Sequence, residues 1–307
     1  MKMLPFLAAS SLAALFSLTV LAEAEGDAPR QEAKLPANPF RPESAPSEKS
    51  LKIPLDVTPG SGMMFVKGSI AGEDCMLLWD TGCTHTTFDK AFMKRITGSD
   101  GVPVEIGGET NVADMPHLYT VDSFSLKTAD GGEAAFGRFA VMSVDMRHMV
   151  GSVGTRVDGV IGMNVIGRVP AITCAAKGEI VLNPRKEECA GFGSLLRTVE
   201  MDSLLVPVKA GEKVVLMLVD SGSSFSFLKE GLWETAGEAG LLGAVDANGR
   251  GTMRSTPGVE GVIDAGGAKI RFKPLVVPEN RNYIGSDVLR RCDILTYGGY
   301  VAFRPLE

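Results

Sequence analysis

Apolar and polar positions divide the 307-residue chain into stretches of different character. Lys2 precedes an almost wholly apolar run, Leu4 to Leu21, which ends at the small-x-small triplet Ala22-Glu23-Ala24. A positive start, an apolar centre and such a triplet predict an export leader over residues 1–24, removed near Glu25. The run is nearly long enough to span a bilayer, so an uncleaved anchor is the competing reading. Pro5 and the cleavage triplet favour removal, and no second apolar stretch of that length follows. Residues 25–50 then turn polar, with prolines at 29, 36, 39, 42 and 46. So little apolar surface cannot offset the entropy of ordering, and the stretch reads as a tether or a short pro-segment.

Beyond residue 50 the pattern repeats itself. Leu77-Leu78-Trp79-Asp80-Thr81-Gly82-Cys83-Thr84 lies over Met217-Leu218-Val219-Asp220-Ser221-Gly222-Ser223-Ser224 without a gap. Each apolar run ends in Asp-(Thr/Ser)-Gly and is preceded by Ala-Gly-Glu, at Ala71 and Ala210, which predicts a hairpin whose second strand runs into the aspartate. Short mixed segments follow, Phe88 to Lys94 and Leu228 to Glu234. Later, Ile161-Gly162-Met163-Asn164-Val165-Ile166 matches Ile284-Gly285-Ser286-Asp287-Val288-Leu289. Asn164, and Ser286 or Asp287, are candidate N-caps for a single helical turn there. A strand ending in proline closes each copy, Glu179 to Pro184 and Tyr300 to Pro305. The chain therefore reads as two copies of one unit, residues 51–184 and 203–307, joined by a linker over 185–202.

Composition narrows the chemistry. Hydrophobic residues make up 45%, enough for substantial cores, and 307 residues suit roughly two domains. The 31 Lys and Arg against 37 Asp and Glu give a net charge of -6, which offers no counterion-release drive toward nucleic acid. Thirty-six glycines with 7% aromatics suit short strands and tight turns. Three histidines and five scattered cysteines, without a Cys-x-x-Cys pair, leave little material for a metal site, and no cofactor is expected.

The duplicated Asp-(Thr/Ser)-Gly with its later apolar-apolar-Gly element resembles the bilobal aspartic proteases of the pepsin and retropepsin kind. The resemblance covers nearly everything from Lys52 to the C-terminus. The wording Val157-Asp158-Gly159-Val160-Ile161-Gly162-Met163 is similar to that of retropepsin-like bacterial aspartyl proteases, here doubled in one chain. The resemblance implies an all-β, two-lobed fold, each lobe a closed or partly closed β-barrel with one or two short helices, and an active site between the lobes. It implies a monomer with a pseudo-twofold axis, which makes a homodimer of half-sites unnecessary. It further implies an extended peptide or protein substrate; the leader, separately, predicts no membrane partner once it is gone and a place in the periplasm or outside the cell.

Elementary chemistry asks for the same residue pair. Hydrolysing an amide without metal or covalent intermediate needs one group to deprotonate a water and another to protonate the carbonyl oxygen. Two carboxylates in contact do both, because they cannot both ionise cheaply and so hold one proton between them. Aspartic proteases are the standard example of such a dyad. Asp80 and Asp220 are the expected catalytic pair, with Thr81, Gly82, Ser221, Gly222 and Ser223 in support. The resemblance assigns the Thr81 and Ser221 hydroxyls to hydrogen bonds across the axis. Asp158 and Asp287 read instead as a turn residue and a helix cap.

Cys83 departs from the family, which carries Ser or Ala there. It reads as a small buried residue and as a weaker donor to a carboxylate than a hydroxyl. That departure is the one feature favouring a catalytically silent, peptide-binding protein on the same fold. His85 reads as a residue at the end of the loop. A substrate-covering hairpin is expected between the first aspartate and its apolar-Gly element, with Gly107 and Gly108 at its turn. Tyr119 is either the substrate-touching tyrosine of that flap or an ordinary strand residue. In the second unit Asn248-Gly249-Arg250-Gly251 reads as the tip of the corresponding hairpin. Cys174 and Cys189 flank a hairpin through Lys177-Gly178 and are either a disulfide or two separate thiols. Met142 to Met149 reads as core or rim packing.

Overall fold

The computed structural model describes residues 8–10, 38–46, 49–104, 116–147, 149, 154–199, 203–246 and 249–306. The predicted duplication appears as two large sheets built in the same strand order. In the N-terminal lobe the order is Glu133–Phe136, Phe124–Lys127, Met64–Ile70, Glu73–Trp79, Gly159–Ile161, Thr87–Asp89, Phe139–Val144, His117–Val121, Val102–Pro103. In the C-terminal lobe it is Ala268–Phe272, Gly261–Ala265, Leu205–Ala210, Lys213–Val219, Tyr283–Ile284, Phe227–Lys229, Leu275–Val277, Gly249–Pro257, Gly240–Asp246. Every strand of one list has its counterpart in the other. Ala8–Ser10 lies parallel against the outer strand Gly240–Asp246.

The fold is mostly β, as expected, but none of the three sheets closes into a barrel. The end strands of each lobe's sheet do not pair with one another, so the sheets are open, and one continuous apolar core runs through both lobes. The third sheet joins the lobes. Its order is Leu196–Arg197, Tyr300–Pro305, Cys292–Tyr297, Ala171–Cys174, Glu179–Leu182, Leu51–Pro54. Two hairpins, one from each unit, meet antiparallel at its centre with Ala171 opposite Thr296 and Cys174 opposite Asp293. The residues read as a linker contribute Leu196–Arg197 to one edge.

The apolar runs end up where two-sided burial is strongest. Leu77, Leu78 and Trp79, and likewise Met217, Leu218 and Val219, are buried on both faces of their strands. Each strand enters through the expected tight hairpin, with Ala71 and Gly72 both at positive φ in the first copy and Gly211 in the second. A parallel neighbour, Gly159–Ile161 or Tyr283–Ile284, flanks each run and fixes where it stops. The mixed segments diverge. After the strand Thr87–Asp89 the first continues into the helix Lys90–Thr97, capped by Asp89 accepting from the Phe92 amide, whereas after the strand Phe227–Lys229 the second continues only into turns and bends. Met142, Met146 and Met149 are buried, in keeping with packing.

Part of the stretch read as a tether is ordered against the N-terminal lobe. Residues 38–46 run along it, with Pro42 buried and Ala45 packed on the main core. The five cysteines are separate thiols, so Cys174 and Cys189 are not bridged, although both contribute to one apolar cluster with Ile172 and Val181.

Candidate active site

The two aspartates stand at the ends of corresponding strands, each tied to its parallel neighbour. The Asp80 amide donates to the Ile161 carbonyl at 3.0 Å, and the Asp220 amide to Ile284 at 2.9 Å. Both residues are buried, 4% and 0% exposed, and the Asp220 side chain bears on the Asp80 acid. The glycine after each aspartate lies beneath the other lobe's carboxyl. A Cβ at Gly82 would overlap the Asp220 carboxyl, and one at Gly222 would overlap that of Asp80. Only glycine admits this approach.

The residues between aspartate and glycine cross the axis in a reciprocal pattern. The Thr81 hydroxyl donates to the Val219 carbonyl at 2.7 Å and accepts from the Ser221 amide at 3.0 Å. The Ser221 hydroxyl donates to the Trp79 carbonyl at 2.6 Å and accepts from the Thr81 amide at 3.0 Å. Each loop's backbone is thus satisfied by the other's side chain. Neither loop can hold this shape without its partner, because buried backbone groups left unpaired are costly.

Within each loop the carboxyl gathers amides: Asp80 Oδ1 accepts from Gly82 at 2.8 Å and Cys83 at 3.2 Å, and Asp220 Oδ1 from Gly222 at 3.0 Å. Burial nevertheless raises the Asp80 acid above the usual carboxylate range, and the amides and Asp220 only partly oppose it. Burial that disfavours a second negative charge is the condition under which two close carboxyls can share a proton.

Cys83 and Ser223 play one role. The Cys83 thiol donates to the His85 carbonyl at 3.0 Å, and the Ser223 hydroxyl to the Phe225 carbonyl at 2.8 Å. The reading of Cys83 as a weakened donor to the carboxylate is therefore corrected, since neither side chain points its proton at an aspartate. Burial first, and Asp80 second, push the Cys83 thiol well up, so it stays protonated.

The helical turns behind the loops, Met163–Ile166 and Ser286–Leu289, are not capped as expected. Gly162 and Gly285 occupy the cap positions without a side-chain bond. Asn164 Oδ1 instead accepts from the Thr86 amide at 2.7 Å and hydroxyl at 2.8 Å, and Asp287 Oδ1 accepts from the Ser226 hydroxyl at 2.7 Å. Both residues brace their own dyad loop. Burial raises the Asp287 acid. Thr86 and Ser226 were not singled out from the sequence, yet the signal was there: both sit six positions after the aspartate in their copy and both carry a hydroxyl. Ser286, whose hydroxyl donates to the Ser221 carbonyl at 2.9 Å, has no such counterpart, as Met163 stands in its place.

Asp158 is a brace, accepting from the Met76 amide at 2.9 Å and pairing with Arg156 at 2.8 Å. Tyr119 belongs to the core. It is 6% exposed, packs in the main apolar cluster, and its hydroxyl donates to the Ser99 carbonyl at 3.3 Å, so the flap reading is corrected. Gly107 and Gly108 lie outside the described residues. In the C-terminal lobe the expected hairpin is present, with Asp246 opposite Gly249. Gly249, Arg250 and Gly251 belong to the returning strand, and Asn248 lies outside the described residues. Among the described residues no group of three His, Cys, Asp or Glu is placed to hold a metal ion. No family model matches this chain, and no curated protein matches it significantly.

Proposed function

We propose that the chain is an aspartic endopeptidase in which Asp80 and Asp220 share one proton and activate a water between them. One carboxylate takes a proton from the water while the other carboxyl gives its proton to the scissile carbonyl oxygen. The observation that carries the reading is the reciprocal exchange between Thr81 and Ser221, which fixes both carboxyls in one buried contact. Such cross-bracing keeps two acidic groups from relaxing apart, and that preorganisation is what acid–base catalysis by a pair requires. The open strands of each lobe offer backbone to an extended peptide, with alternate side chains entering pockets.

Only Cys83 favoured a silent binding protein in the sequence. Its thiol does the same structural work as Ser223, so that support falls away. We further read residues 1–24 as an export leader and the working chain as a periplasmic or secreted monomer. The test is inhibition. A mixed peptide pool incubated with the protein between about pH 3 and 8 is expected to be cleaved, and a statine-type transition-state mimic is expected to stop the cleavage. A pool left intact at every pH, with the protein folded, would leave the binding reading in its place.

A further inference from the structure

The two dyad loops are braced by different residues, and the difference points to a role for the ordered part of the tether. At corresponding positions stand Asn164 and Asp287. A carboxylate can only accept, whereas an amide also donates. Asn164 uses that extra capacity. While its Oδ1 holds the Thr86 amide and hydroxyl, its Nδ2 donates at 2.5 Å to the carbonyl of Phe40, in residues 38–46. Asn164 is 3% exposed; its bonds to Thr86 are buried and the one to Phe40 is partly buried.

The same segment touches the loop a second time. The Phe40 ring stands edge-on to His85, with centroids 4.7 Å apart at 77°. The His85 carbonyl receives the Cys83 thiol and the Thr87 hydroxyl, and its Nδ1 lies 2.9 Å from the Thr84 hydroxyl. Along its length the segment is fastened by backbone: Ala140 N–H donates to the Pro39 carbonyl, Glu43 N–H to that of Arg138, and Gly137 N–H to that of Ser44. Pro39 lacks an N–H but its carbonyl is a full acceptor, so a proline-rich segment can still take a bond from the strand Phe139–Val144.

We propose that residues 38–46 form a strap belonging to the dyad's support, and that Asn164 is the positioning residue coupling it to the loop Cys83 to Thr87. The proposal rests on the reading of Asp80 as a dyad member. It sets a limit on processing: cleavage within residues 25–37 leaves the strap in place, whereas loss of Phe40 releases the loop.

The test uses the full chain carrying Asn164→Asp, which keeps the acceptor for Thr86, as Asp287 does for Ser226, but loses the donor to Phe40. Phe40→Ala is the second variant, in case the first does not fold. Hydrogen exchange followed by mass spectrometry is expected to speed up about five- to tenfold both in the strap and in the peptide containing residues 83–87. Peptide cleavage is expected to show kcat lowered by about five- to tenfold with KM within about twofold of wild type. A residue that merely packed would loosen the strap alone. Faster exchange confined to the strap with unchanged kcat, or unchanged exchange throughout, would overturn the proposal. If the wild-type protein cleaves nothing, the peptidase reading fails, and linked exchange of strap and loop still decides the strap.

Discussion

Ser221→Ala removes the oxygen that completes the exchange between the lobes. Two buried groups lose their partner at once: the Thr81 amide, which donates to that oxygen at 3.0 Å, and the Trp79 carbonyl, which receives its proton at 2.6 Å. Both lie where water does not reach, as Thr81 is 2% and Trp79 1% exposed. An orphaned buried backbone group costs about 1–3 kcal/mol, so losing two partners should cost about 2–6 kcal/mol. That is a large share of a total stability of about 5–15 kcal/mol. Thr81→Val orphans the Ser221 amide and the Val219 carbonyl in the same way and should cost a similar amount. Because the two side chains share the network, the double variant should be non-additive by about 0.5–3 kcal/mol. Urea unfolding at fixed pH reads all three, with an unchanged m-value and a lowered midpoint. A loss below about 0.5 kcal/mol for Ser221→Ala, which is the level of an ordinary surface change, would refute the claim that the loops brace each other.

Gly222→Ala drives a methyl into the Asp80 carboxyl, and we expect loss of cleavage and a stability loss of about 1–3 kcal/mol from overpacking, read by activity and unfolding together. Cys83→Ser replaces the thiol donor to His85 by the hydroxyl already used at Ser223, so kcat should stay within about twofold and Tm within about 2 °C. Asp80→Asn tests the electrostatics. The folded-state acid is raised, so the native chain binds more protons than the unfolded one between the ordinary and the raised value, and wild type loses stability as pH rises through that window. Asparagine at position 80 does not titrate there, so the variant's Tm relative to wild type should climb from pH 4 to 7. A flat difference would show that Asp80 is not displaced upward.

The duplication and the hairpins that run into Asp80 and Asp220 were legible because they rest on pattern repeated in sequence. Two apolar runs ending in Asp, each with a later Ile-Gly, can both be buried on two faces only if each lies between a hairpin partner and a parallel neighbour, and that is the arrangement found. Tyr119 could have been placed better from its own strand, since Tyr119 and Val121 alternate inward while Thr120 faces out. The helix caps were misread because a short turn after glycine has no free side chain at its cap, and Asn164 and Asp287 were spent on the dyad loops instead. The strap was hidden for a different reason. Composition reports apolar burial, whereas residues 38–46 are held largely by backbone bonds and one buried amide. The resemblance left open whether each lobe is a closed or a partly closed barrel, and none of the sheets closes, because closure depends on whether end strands meet, which no local pattern specifies.

The central claim is that Asp80 and Asp220 act as one acid–base unit. It is tested most directly by cleavage of a peptide pool with wild type, Asp80→Asn and Asp220→Asn, each verified as folded. Wild type should cleave, and each asparagine variant should lose about 10²-fold or more of that rate, the loss expected for removing a general acid or base. Either variant cleaving at the wild-type rate would contradict it.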